Sequence, residues 1–267
     1  MKTTAAASIL IGPAGSGGLG HLKGIREAAR LKLDCLEIEF TYGVRMKLEM
    51  AEAVGAAAEA HGLILSVHAP YYINLAAYED DKIAASRQRI LDSCQRAHLM
   101  GARKVVFHAG FYQKRTPQET YVLIRREIET LQDRICKESW QVILCPEITG
   151  KPTQFGSTEE LLGLMQDAGC GITVDFAHLF ARNQGVIAYD ALMPMLPRAF
   201  HAHFSGIEYT AKGEKKHIRL QPAYFRPLRE ALIRHGKQIT LICESPEPFE
   251  DAVMMKALLE GNQKTKS

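Results

Sequence analysis

The 267 residues suffice for one large core or two small domains, and a hydrophobic content of 46% marks a globular chain and excludes a disordered one. A net charge of +3 is too small to argue a polyanionic partner by itself, so only a local basic patch can do so. No apolar run approaches the ~20 residues of a membrane helix, and Gly12-Pro13 ends the first apolar run too early for a signal peptide, so a cytoplasmic protein with no membrane partner is expected.

Ser8 to Ile11 reads as the first strand, followed by a glycine-rich loop and a helix over about Leu19 to Leu31. Gly15-x-Gly17-x-x-Gly20 fits the dinucleotide-binding fingerprint, with Glu37 or Glu39 near the place of a ribose-binding acid. Such loops are common between strand and helix, and a dinucleotide fold leaves the later histidines unexplained. Cys35 to Phe40 is a second strand and Arg45 to His61 a helix. Leu63 to Val67 is a third strand, stopped by Pro70 so that His68 sits at its carboxyl end, with Tyr71 and Tyr72 on the loop beyond. Asp80 to Leu99 is a long helix with acids at its start.

Val105 to Phe107 is a fourth strand ending in His108, and Pro117 to Lys137 is the next helix. Val142 to Pro146 ends in Glu147. Ser157 to Asp167 opens with a capping box, Ser157 and Glu160. Ile172 to Val174 ends in Asp175, with His178 three places on. After a short helix over Tyr189 to Leu196, Ala199 to Phe204 carries His201 and His203 on one face. A long polar loop is expected over Ser205 to His217, then a helix over Ala223 to His235. Ile239 to Cys243 ends in Glu244, and a last helix covers about Phe249 to Leu259, before a frayed tail over 261–267. Strands alternating with helices over this length predict a single α/β domain, a (β/α)8 TIM barrel spanning 1–267. Cys35, Cys145 and Cys243 lie in apolar strand-like runs and no C-x-x-C pair occurs, so buried free thiols in a reducing compartment are expected.

In such a barrel His68, His108, Glu147, Asp175, His203 and Glu244 share one rim, with His178 and His217 just beyond. Imidazoles and carboxylates are zinc ligands, and each ion takes about four ligands in all, so this set suits two or three ions, zinc first and manganese second. His201 lies one period deeper and reads as a supporting residue; His21, His61, His98 and His235 read as surface residues. For each ligand the plain alternative is a hydrogen-bonded rim residue, and Asp175 alone can cap the following turn. A multinuclear zinc site activates water and offsets phosphate charge.

At these residues the chain resembles the endonuclease IV family of abasic-site nucleases. The resemblance lies in His68-Ala69-Pro70-Tyr71-Tyr72-Ile73-Asn74-Leu75, Phe107-His108-Ala109-Gly110, Pro146-Glu147-Ile148-Thr149-Gly150, Asp175-Phe176-Ala177-His178, His203 and Glu244. It implies three zinc ions. His68, His108 and Glu147 would hold the first; Glu147, Asp175, His203 and Glu244 the second; His178 and His217, with an acid, the third. The family has D-x-H where this chain has Glu214-Lys215-Lys216-His217, so Glu214 stands one residue out of register. The loop after the second strand is shorter and less basic than the family's DNA-entering loop. The implied activity is zinc-dependent cleavage of double-stranded DNA 5′ of abasic sites by a monomer, with Glu147 or Glu244 orienting the attacking water.

Tyr71 is the candidate stacking residue, its alternative being rim packing. Lys151, Arg182, Lys212, Lys215 and Lys216, with Arg219, are the candidate phosphate contacts, their alternative being a solvated surface. The competing functions are a sugar isomerase or epimerase of the related xylose-isomerase-like group, with one ion on Glu147, Asp175, His203 and Glu244, and a non-catalytic DNA- or metal-binding protein.

Overall fold

The short apolar runs pair side by side into a closed parallel barrel in the computed structural model, which describes residues 6–261. The strands β1 (Ser8–Pro13), β2 (Cys35–Glu39), β3 (Ile64–His68), β4 (Lys104–Phe107), β5 (Ile143–Pro146), β6 (Thr173–Asp175) and β7 (Ala199–Phe204) come in chain order. A hairpin of β8 (Gly206–Thr210) and β9 (Gly213–Ile218) precedes β10 (Gln238–Cys243), the last barrel strand. Regular ladders join β2-β3-β4-β5 and β1-β10-β7-β6. Single parallel bridges, Ala14 to Glu37 and Glu147 to Thr173, close the two seams. The expected (β/α)8 barrel is therefore the fold.

Around it run α1 (His21–Arg30), α2 (Leu48–Ala60), α3 (Asp80–Leu99), α4 (Pro117–Lys137), α5 (Thr158–Ala168), α6 (Phe176–Arg182), α7 (Tyr189–Met195), α8 (Pro222–Arg234) and α9 (Pro248–Glu260). The Ser157–Glu160 capping box forms as read, and Thr116–Glu119 supplies a second at α4. Two elements differ from expectation. The polar stretch after β7 is a hairpin and not a loop, because Ile207 and Tyr209 alternate onto one side, where the Tyr209 ring packs on Phe180 of α6. The residues after Asp175 form a helix at once, α6, since the Asp175 carboxylate caps it. Of the expected tail, 262–267 lies outside the described residues.

Apolar side chains between barrel and helices form the main core, with Phe107, Phe155, Phe176 and Phe225 fully buried. The barrel interior is different. Side chains two residues below the rim point the same way as the rim residues, and there Glu37, Ser66, Thr173 and His201 are all buried. Barrel interiors are ordinarily filled by Val, Ile and Leu, so this polar layer needs a use.

Gly12 lies at the β1–β2 seam, where a Cβ would sit 1.8 Å from the Cys35 carbonyl oxygen. Because backbone and not a flexible side chain blocks the space, Gly12→Ala should cost about 3 kcal/mol or more. Gly18→Ala, with open space but a φ of 76°, should cost only about 1 kcal/mol. Equal denaturation midpoints for the two variants would show that the seam is not tightly packed.

Candidate metal centre

Strand register brings the acid and imidazole groups to one level. Glu39 pairs with His68, and Asp175 pairs with His203. Both Glu147 and Glu244 follow directly on strand ends, their N–H groups donating to Phe107 and Phe204 carbonyls. The ligand atoms then fall into sets within 4.8 Å of one another: His68, His108 and Glu147; Glu147, Asp175, His203 and Glu244; Asp175, His178 and His217. Glu147 belongs to two sets, Asp175 to two.

The spacings suit ligands around a common ion. Bonds of about 2.0–2.1 Å in a tetrahedral site put neighbouring ligand atoms about 3.3 Å apart. His68 Nε2 and His108 Nε2 lie 3.1 and 2.8 Å from Glu147 Oε2. His203 Nδ1 lies 3.0 Å from Glu147 Oε1 and 3.1 Å from Glu244 Oε1. His178 Nε2 lies 3.2 Å from His217 Nε2 and 3.5 Å from Glu214 Oε2. The longer glutamate thus reaches the third set from its shifted position. Gly150 makes room for it: a Cβ there would fall 2.6 Å from Glu214 Cβ and 3.1 Å from His178 Cδ2.

In His68, His178 and His217 the outer nitrogen is tied back, which orients the ring and leaves the other nitrogen's lone pair facing inward. His68 Nδ1 donates to the Ala69 carbonyl (2.8 Å) and His178 Nδ1 to that of Ile148 (3.0 Å). His217 Nδ1 donates to Ser205 Oγ, 2.7 Å away. His203 Nε2 meets Glu37 Oε1 at 2.9 Å. Glu37 is itself held by His201 Nε2 (2.8 Å) and Ser66 Oγ (2.7 Å). The polar interior layer is therefore the support of the His203 ring.

Asp175 combines both readings of its sequence position. Its Oδ1 accepts from the His178 N–H at 2.7 Å and caps α6. Its Oδ2 is buried with no hydrogen-bond donor. Burial, aided by Glu244 and Glu147, pushes the Asp175 carboxyl up to about 8. Burial alone would also raise Glu147, but His108 and His203 hold it well below the usual range. Burial, then Glu244, pushes Glu39 up to about 7. Carboxylates this close resist ionising together unless positive charge stands between them. The orphaned oxygen, the inward nitrogens and the crowded acids all fit divalent cations.

A model describing xylose isomerase-like TIM barrels matches residues 25–259. The chain belongs to this family. Over 249 residues it is 36% identical to an uncharacterized protein of Methanocaldococcus jannaschii, covering 88% of this chain and 90% of that one. Over 196 residues it is 26% identical to a protein described as probable endonuclease 4 of Mycobacterium ulcerans, covering 71% and 75%. Endonuclease IV from Thermus thermophilus superposes with a TM-score of 0.67 at 19% identity, over 97% of this chain and 99% of that one. The 3-keto-D-glucoside 4-epimerase from E. coli does so with 0.70 at 14% identity, over 96% and 99%. Enzymes of unlike chemistry fit the same xylose isomerase-like backbone, so the reaction must be argued from side chains.

Those side chains also correct the sequence reading. Arg182, read as a phosphate contact, is engaged within the protein: its guanidinium donates to the Thr149, Lys151 and Gln154 carbonyls and to Thr149 Oγ1, pinning the loop after β5. Arg219 is held by Asp251. Lys215 and Lys216 both pair with Glu208, at 3.3 Å. Lys212 at the hairpin tip and Lys151 are exposed. Tyr71 stands over the centre, its ring 6.0 Å from His68 and 6.4 Å from His108. The dinucleotide reading fails because the sheet closes and Glu37 is sealed inside it. His61 is exposed, but His21, His98 and His235 are half-buried. Sequence reasoning missed Glu37 as a support; an acid between Leu36 and Ile38, one period below the rim, was its only signal.

Two outcomes are expected. Elemental analysis of the intact protein should find about three ions per chain, and Gly150→Ala should lower the count by one without loss of fold, by displacing Glu214 and His178. An unchanged count would remove Glu214 from the third set. The second outcome concerns pH. Burial pulls the His68 imidazole down from 6.5, but Glu147 and its neighbours outweigh this and push it up to about 9. His178 and His203 are raised well above their ordinary value, and Asp175 rises from 3.8. From pH 6.5 to 8 the folded metal-free chain therefore holds more protons at these groups than the unfolded chain, and it loses stability as pH rises. Ions need deprotonated ligands and bind better over the same window. The melting temperature should fall with pH after chelator treatment and not fall after zinc loading; parallel profiles would contradict cation binding here.

Proposed function

We propose that the chain is a metal-dependent phosphodiesterase that cuts DNA 5′ of abasic sites. The observation that carries this is the convergence of His68, His108, His178 and His217 around Glu147, Asp175, His203 and Glu244. A single-ion sugar isomerase needs only the last four. The other imidazoles have no part in that chemistry, yet all four are buried or half-buried, and His68, His178 and His217 have their outer nitrogens tied, an arrangement that a ligand role accounts for. The relatives described as endonuclease 4 support the same reading, and the epimerase neighbours share the fold alone.

Divalent ions, when bound, would lower the pKa of a water and neutralise charge on the phosphodiester and its leaving oxygen. The protein's own contribution is placement. Glu147, reached from both oxygens by surrounding imidazoles, fixes the distance between the first two ligand sets. Glu244, partly open to the cleft, orients the attacking water. Tyr71 closes the cleft above His68 and His108 and fills the gap beside a missing base. The strand-end rim holds these groups on rigid elements, so little reorganisation is needed as charge develops.

An end-labelled duplex with one abasic site should be nicked by the purified protein and spared after chelation. Glu147→Gln should lower nicking by about a thousandfold or more, the equivalent of several kcal/mol of lost charge stabilisation. Near-normal nicking by that variant refutes its shared role. A count close to one ion, with epimerisation of a ketose, would select the sugar enzyme instead.

A further inference from the structure

We propose that the lower mouth of the barrel, at the end opposite the metal centre, is a second binding site. It takes a small zwitterion with an apolar body, a free amino acid or a dipeptide, carboxylate inward and ammonium outward.

A cavity of about 910 Å³ opens there between the first residues of β3 and β4 and the last turns of α2 and α3. That volume lies in the range of small-molecule sites. Close helix packing forms the back wall. Gly55 lets α2 lie against the end of α3, since a Cβ at that position would fall 2.9 Å from Met100 Cα. None of the rim ligands lines the cavity, so the chemistry at the other end does not account for it.

Opposite charges line the two sides without meeting. On the barrel side stand Arg103 and Lys104. Val106 pairs with His68, and Lys104, two residues earlier on β4, points the same way, into the barrel. On the helix side stand Glu52 and Glu59, about two turns apart on one side of α2. Among the described residues none of the four makes a salt bridge, so the cavity keeps acids and cations apart. Lys104 is half-buried, and burial pulls its ammonium below its ordinary value. A carboxylate beside it replaces the hydration lost. The floor around it is polar: Thr240 and His201 line it, and His201 Nδ1 is buried without a partner. Between the charged sides Leu63, Leu65 and Met100 supply apolar surface. A molecule that spans this space needs a charge of each sign and a hydrocarbon part. A polyanion meets the exposed Glu52 and Glu59 at the lip and is repelled.

The test is isothermal titration calorimetry of the full, metal-loaded chain with L-leucine, L-leucyl-L-leucine and the C-terminal amide of each. At least one zwitterion should bind with a Kd of about 1 mM or below, and which one does so separates free amino acid from peptide. Its amide, lacking the carboxylate charge, should bind at least about tenfold more weakly. Lys104→Met should weaken binding by about 10- to 150-fold, the range of one hydrogen bond to a charged group. Its melting temperature should not fall, because an unpaired, half-buried cation is removed. Glu52→Gln combined with Glu59→Gln, both exposed and unable to disturb the core, should weaken binding by about 2- to 5-fold. Failure of both zwitterions to bind overturns the proposal. So does an affinity that these substitutions or the amide leave unmoved. Binding that disappears on chelation also overturns it, since the ligand then sits on the rim metals. The site stands or falls independently of the reaction at the rim.

Discussion

Placing Glu147, Asp175 and Glu244 around one buried imidazole, His203, is the constraint on which the rest of the structure depends. Taken from water, such acids repel one another and lose hydration worth several kcal/mol each. Imidazoles alone relieve this only by taking up protons. The unpaired Asp175 Oδ2 shows that the protein's own donors do not complete the balance. Divalent cations would, and the centre would then serve stability as well as chemistry.

The polar barrel interior follows from the same constraint. His203 turns Nδ1 to Glu147 and Glu244, and its Nε2 lies 2.9 Å from Glu37 Oε1, an ion-pair contact without hydrogen-bond alignment. Glu37, sealed from water, then needs partners of its own, which His201 and Ser66 provide. The apolar packing that the barrel gives up inside is recovered between strands and helices, where the large aromatic and aliphatic side chains gather.

The rim divides its labour between loops. The loop after β5 is pinned by Arg182, and Gly150 on it clears the space that Glu214 fills from the hairpin. Across the cleft, the loops after β2, β3 and β4 leave Tyr42, Tyr71, Tyr72 and Phe111 exposed.

The eight barrel strands were legible from local pattern, and so was the set of imidazoles and carboxylates that the fold brings together at the rim. Short apolar runs set the strand order, and the His, Glu or Asp that closes the third to the eighth set the rim, because a strand's last inward residue must face the axis. Glu37 was not legible. Its partners His203 and His201 lie more than 160 residues away, and only barrel closure brings them within 2.9 Å. Arg182 misled for the same reason: a basic residue on a rim loop looks free until the fold gathers the Thr149–Gln154 carbonyls around it. The candidate ligands were a property of the sequence because they depend on residue type at strand ends. Which nitrogen faces the centre, which acid is left without a donor and which cation is free were decided by the tertiary structure, because each depends on distances between elements far apart in the chain.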